Sequence, residues 1–198
     1  MIQKTRAIVL SLRKYTDNVS IAHLYTANNG RVACAVRGNK YKGVLTPLSQ
    51  IEITISDRGD KAMGTLTSAT LVHVPHHLAT DVRRQCIAIF IAEILSLTIR
   101  HPMQDEALFE WLSRVAQALD DNESIEDIHL QFLLDYTVFL GIGIDEMQHP
   151  EWFVAPAGRE QRQRYLREIC AYYKEHIEDF REPKSLEVLM EVFDSMCD

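Results

Sequence analysis

The spacing of apolar residues changes once along this chain, near Pro75, and that change limits the fold more than any other feature. Before Pro75 apolar residues recur at every second position, the period of a strand with one buried face. After it they recur at three and four, the period of a helix. Residues 5–12 alternate, with Ile8, Leu10 and Leu12 expected on one face, and residues 13–18 form a polar turn. Residues 20–26 read as a second strand. Asn28-Asn29-Gly30 is a hairpin signal, because Asn-Gly readily adopts the positive φ of tight turns. In the third strand Val32, Cys34 and Val36 alternate with Arg31, Ala33, Ala35 and Arg37, so one face is apolar and the other small and basic. Residues 37–43 form a loop with Gly38 and Gly43 near its ends. Residues 48–55 place Ile51, Ile53 and Ile55 on one face, Asp57-Arg58-Gly59-Asp60 turns the chain, and residues 62–72 give a fifth strand.

Beyond the Val74-Pro75-His76-His77 junction the chain reads as helices. One follows Thr80-Asp81 and runs to about Arg100, through an apolar stretch from 86 to 97 broken by Glu93 and ended by His101-Pro102. Another spans residues 105–119, with Leu108, Trp111, Leu112 and Val115 at helical spacing. Glu123-Ser124-Ile125-Glu126 opens a third that runs to Leu140, where Gly141 is a stop. Residues 145–158 read as loop, 160–180 as a charged amphipathic helix, and Pro183-Lys184-Ser185 starts a last helix ending near Met196. The expected fold class is therefore α+β with two domains: a five-stranded OB-fold-like β-barrel over residues 1–76, then an all-α domain over 77–198. Five short strands joined by polar turns fit such a barrel. An SH3-like barrel fits the pattern nearly as well.

Charge divides at the same place. Residues 1–74 hold ten Lys and Arg against four Asp and Glu, a balance of +6; residues 75–198 hold 11 against 24, a balance of −13. Such asymmetry points to different partners for the two parts. The start of the chain is polar and basic, without the apolar stretch of a signal peptide, and no run approaches the length of a membrane span. Cys34, Cys86, Cys170 and Cys197 never form a Cys-x-x-Cys pair, which argues against a zinc ribbon and predicts reduced thiols. A soluble, cytoplasmic protein is expected, with no metal or other cofactor.

The basic cluster is the strongest functional signal. Arg13, Lys14, Arg31, Arg37, Lys40 and Lys42, with Tyr15 and Tyr41 among them, combine cations for phosphates with flat rings for bases. Solvated loop charge is the plainer explanation of the same residues. His73, His76 and His77 invite a metal reading, but Pro75 interrupts any common face and no cysteine completes a set, so a linker is the better account. The carboxylates of Asp120, Asp121, Glu123, Glu126 and Asp127 are read as a solvated helix start. Arg159, Arg162 and Arg167 fall near one helical face, where they could hold an acidic peptide or phosphate; Glu160 and Glu168 offer to balance them. No hydrolase elbow, phosphate loop, dinucleotide fingerprint or zincin helix is present.

The order of several short segments resembles that of the bacterial RecO proteins. These are residues 4–10, Lys14-Tyr15-Thr16-Asp17, Leu24-Tyr25-Thr26, Gly30-Arg31 and Val36-Arg37-Gly38; then Asp81-Val82-Arg83-Arg84, Phe90-Ile91-Ala92-Glu93, Leu133-Leu134 and Phe139-Leu140-Gly141. The resemblance covers Met1 to about Ile144 and rests on order and spacing together. It implies an N-terminal OB-fold joined to a helical domain. It also implies binding of single- and double-stranded DNA, annealing of complementary strands, and help, with RecR, in loading a recombinase onto DNA coated by single-strand-binding protein, whose acidic C-terminal tail is contacted. Some members carry a four-cysteine zinc module in the second domain, and this chain lacks those cysteines.

These observations predict a DNA-repair mediator that is not an enzyme. The barrel would hold DNA through Arg13, Lys14, Arg31, Arg37, Lys40 and Lys42, with Tyr15 or Tyr41 stacking, and the helical domain would hold protein partners. A cationic surface that screens two phosphate backbones leaves base edges free to pair, which is a route to annealing. The alternatives are an adaptor whose barrel binds a peptide or subunit, and an enzyme built on His73, His76 and His77.

Overall fold

The computed structural model describes residues 2–56, 63–100, 102 and 104–195. The turn expected at 57–60, His101, Met196 and Cys197 lie outside the described residues. Five strands come first: β1 (Ile2–Lys14), β2 (Val19–Thr26), β3 (Gly30–Arg37), β4 (Gln50–Ser56) and β5 (Thr65–Leu71). They close into a barrel in the order β1-β2-β3-β5-β4. Every pairing is antiparallel except that of β3 with β5, which meet in parallel at Ala35 and Thr65. Inserting β5 between β3 and β4 is the Greek-key departure from a simple meander that an OB-fold barrel makes. Gly30, at φ 62°, supplies the left-handed residue that the β2–β3 turn requires.

Two sets of side chains fill the interior. Ala7, Val9, Ala22, Leu24, Cys34, Val36, Ile51, Ile53, Ile55, Leu66 and Ala69 point into the barrel. Ile8, Leu10 and Tyr25 face outward instead and join the core of the helices. β1 is therefore apolar on both faces, which simple alternation does not describe. Leu12 packs with the barrel interior rather than with Ile8 and Leu10. The cause is a bulge: Val9 pairs with Leu24 but Ser11 pairs with His23, so two residues of β1 oppose one of β2. Beyond the bulge the inward and outward positions exchange. Leu12 turns in, and Arg13 turns out.

The helices are α1 (Val82–Thr98), α2 (Glu106–Asp121), α3 (Ile128–Phe139), α4 (Arg159–His176) and α5 (Ser185–Ser195), with one 3-10 turn, Pro150–Phe153, inside the expected loop. Asp81 caps α1 by accepting from the Arg83 amide at 2.8 Å, and Asp105 caps α2 by accepting from Leu108 at 2.9 Å. α1 is central. Ile87, Phe90, Ile91, Ile94 and Leu95 are all buried on it, and it lies against β1, α2, α3 and α5. Glu93, the one charge in that stretch, accepts from the Lys184 and Ser185 amides (3.1 and 2.9 Å) and from Ser185 Oγ (2.6 Å), and so caps α5. α3 begins later than expected because the Glu126 carboxylate accepts from Ser124 Oγ and the Ile125 amide, holding a turn ahead of the helix. It ends at Gly141, φ 72°, the left-handed stop expected there.

Asp120 corrects the expectation of a solvated acidic helix start. It sits at the end of α2, 1% exposed. Its two oxygens accept from the amides of His76, His77 and Leu78 at 2.8, 2.8 and 2.7 Å, pinning the segment between the barrel and α1. Arg84 reaches the same place from α1 and donates to the last carbonyls of α2, Leu119, Asp120 and Asn122.

Candidate nucleic-acid interface

The outward face of β1, β2 and β3 carries the features expected of a nucleic-acid surface. The register sets Arg13 opposite Ile21, Ser11 opposite His23, Ala33 opposite His23, Arg31 opposite Tyr25 and Arg37 opposite Val19. Arg13, His23, Arg31 and Arg37 therefore share one side of a three-stranded surface, with Ser11, Ala33 and Ala35 as the small residues between them. Lys14, the last residue of β1, and Tyr15, in the turn after it, stand at one rim, and Lys40 and Lys42 lie in the loop after β3.

The cations there differ in how free they are. Arg13, Arg37 and Lys42 make no ion pair among the described residues. Lys14 pairs with Asp17 at 2.7 Å, both groups largely in solvent, so the pair is weak. Lys40 lies over the Tyr41 ring, 5.0 Å from its centre. By contrast Lys4 and Arg6, in the first half of β1, are matched to Glu52 (2.8 Å) and Glu110 (2.7 Å).

Two of the expected contacts are otherwise engaged. Arg31 is half-buried and donates to the carbonyls of Ser96 (2.8 Å) and Ile99 (2.5 Å) at the end of α1. It satisfies carbonyls that a helix C-terminus leaves without partners, and so fastens β3 to α1. Its pKa is lowered by burial and then by the charge of Arg13. Tyr41 is 9% exposed, packs with the barrel interior, and donates to the Thr67 carbonyl at 2.6 Å. Its ring closes the barrel and cannot stack on a base. Tyr15, 71% exposed, remains the open ring among the residues expected to stack. His23, which nothing in the sequence pattern singles out, lies at the middle of the face.

Elsewhere, His73 brings its ring to 3.4 Å from Asp120, with Asp121 close by. Asp120 is already committed to three backbone amides, and His76 and His77 supply amides rather than rings, so the cluster is a fold junction. The α4 arginines do not share one patch. Arg162 turns inward, 19% exposed, and donates to Asp127 at 2.6 Å; Arg159 and Arg167 are exposed. Five residues on a helix turn Arg167 about 140° away from Arg162. Cys34, Cys86 and Cys170 are free thiols. No helix among the described residues is long and apolar enough to cross a membrane.

A family model described as the Recombination protein O N terminal matches residues 1–75, and one described as its C terminal matches residues 79–151. The chain is 31% identical over 173 residues to a DNA repair protein RecO of Porphyromonas gingivalis, covering 80% of this chain and 70% of the relative. It is 30% identical over 242 residues to that of Bacteroides fragilis, covering 98% and 100%, and 28% identical over 238 residues to that of Christiangramia forsetii, covering 98% and 100%. An alignment of 238 positions that takes in 98% of 198 residues leaves roughly forty positions of the relative without a counterpart here. With both terminal models matched in order and relatives aligned along nearly its whole length, the chain belongs to the RecO family of DNA repair proteins.

Proposed function

We propose that this protein binds DNA on the outer face of β1–β2–β3 and acts in recombinational repair without covalent chemistry of its own. One observation carries the reading. Arg13, His23, Arg31 and Arg37 lie on one side of a closed barrel, and Arg13 and Arg37 have no counter-charge among the described residues. Unmatched cations on a strand surface are the electrostatic footprint of nucleic-acid binding, and OB-fold barrels bind strands on their sheet face. Lys14, Lys40 and Lys42 extend the positive surface at its rims, Tyr15 offers an open ring, and Arg31 adds charge while holding α1.

Strand annealing follows from the same surface, which screens phosphates and leaves base edges free. Both single and double strands present the backbone that such a surface reads. The family relationship supports RecR and the acidic tail of single-strand-binding protein as partners, a part in loading the recombinase, and work in the cytoplasm, where the DNA is. Arg159 and Arg167 are exposed cations of α4 that an acidic tail would meet.

The test is fluorescence anisotropy of a labelled single-stranded oligonucleotide with the full chain and with Arg13→Glu/Arg37→Glu. Reversing both charges is expected to weaken binding by at least tenfold at moderate salt. Unchanged affinity would remove this face as the site. Absence of binding by the unaltered protein at low salt would favour a protein-binding adaptor instead.

A further inference from the structure

We infer that His23 is the base-stacking platform of this face and the residue by which it prefers single-stranded over duplex DNA. The inference rests on the DNA-binding reading above. His23 sits on β2 between Ser11 of β1 and Ala33 of β3, its two directly opposite neighbours. Both are small, so neither covers the imidazole. Among the described residues His23 makes no hydrogen bond and no ring contact, although it is partly buried. Its ring is therefore tied to no other part of the fold and stays available to a ligand.

Its surroundings favour a flat, uncharged partner with phosphates on either side. Arg13 stands two residues along from Ser11 on β1 and Arg31 two residues along from Ala33, in the other direction, on β3, both diagonal neighbours of His23. Diagonal positions lie about 7–8 Å apart, within reach of long side chains. These two arginines are the charged groups that face the ring; Arg31 is held toward α1 by the Ser96 and Ile99 carbonyls. Burial first, and then Arg31 and Arg13, lower the His23 pKa, which favours the uncharged ring. A neutral imidazole adds no charge to phosphate binding, only the single N–H that it can donate. Its ring face is what remains, and base stacking is tolerant of sequence because every base has a π-face. In a duplex those faces are stacked on one another, so the ring can engage only an unpaired base. With Tyr41 inside the barrel, His23 and Tyr15 are the rings this surface offers.

The experiment compares a labelled oligothymidylate with a duplex of equal length at pH 7.5 and fixed salt, using the unaltered chain, His23→Ala, His23→Gln and His23→Phe. His23→Ala and His23→Gln are expected to lose about tenfold in affinity for the single strand and less than about twofold for the duplex. His23→Phe, which keeps a ring and removes the titrating group, is expected to restore single-strand binding. The glutamine variant keeps the site polar and serves if the alanine variant fails to fold. Unchanged single-strand affinity, equal losses on both DNAs, or failure of the phenylalanine variant to restore binding overturns the inference. The charge reversals at Arg13 and Arg37 separate the two claims. If they abolish binding while His23→Ala does not alter it, stacking by His23 fails and the interface stands. If they change nothing, the interface itself is wrong.

Discussion

Replacing Asp120 with asparagine should destabilise the fold by about 2 kcal/mol at neutral pH, and the loss should fade in acid. Burial alone would push this carboxyl up. The amides of Leu78, His76 and His77 and the ring of His73 outweigh burial and bring the pKa from 3.8 down to about 2. Each unit of difference between unfolded and folded states is worth about 1.4 kcal/mol, so the ionised carboxylate contributes about 2 kcal/mol. A depressed carboxylate stabilises the fold above its unfolded pKa, and that contribution is lost as pH falls through the folded value. The window runs from about pH 4 to about pH 2, with roughly half gone at pH 3. The side-chain amide introduced by Asp120→Asn keeps one acceptor oxygen but turns an NH2 group toward backbone donors. Urea unfolding of both proteins at pH 7 and pH 3 reads the difference directly. An Asp120→Asn penalty equal at both pH values, or absent at pH 7, would refute the view that a charged Asp120 holds the segment between barrel and α1.

Three further outcomes follow from other buried polar contacts. Arg31→Ala should cost about 2 kcal/mol in chemical unfolding, because charge-assisted bonds to the α1 carbonyls are lost, and should weaken DNA binding less than Arg13→Ala does. Glu93→Ala should cost about 1–2 kcal/mol and speed amide hydrogen exchange in α5, whose first amides it caps. His129 is fully buried against Phe90, with a pKa lowered to about 3 by burial and then by Arg162. The unfolded chain binds that proton near pH 6.5, so stability falls as pH drops below 6.5. His129→Phe should remove part of that decline in thermal midpoints measured between about pH 7 and pH 5.

What the sequence made legible was local chemistry, and what it hid was where long side chains turn. The Asn28-Asn29-Gly30 turn and the stop at Gly141 are each set by a residue's own backbone preferences, and each was readable. The bulge at Leu10 was not: it exchanges the faces of β1 through pairing with β2, and alternation alone places Leu12 with Ile8 and Leu10. Tyr41 reads as a loop aromatic, yet the loop folds back and the ring enters the barrel because that buries more apolar surface than solvent would allow. Arg31 and Arg162 have the spacing of surface cations. The end of α1 and Asp127 capture them, partners 65 and 35 residues away. Asp120 looked like part of a hydrated acidic run for the same reason, since its amide partners lie more than forty residues earlier. The signal that could have found His23 was its placement opposite the Ala33 of a small-and-basic strand face, once the hairpin fixed the register.

The central claim is that the β1–β2–β3 face neutralises DNA phosphates. The most direct test is the salt dependence of single-strand affinity for the unaltered chain and for Arg13→Ala/Arg37→Ala. Each phosphate contact contributes about 0.7 to the slope of log affinity against log salt for single strands. Losing two contacts should therefore shallow the slope by about 1.4 and lower affinity at every salt concentration. Two parallel lines, or coincident ones, would show that Arg13 and Arg37 touch no phosphates and would contradict the account.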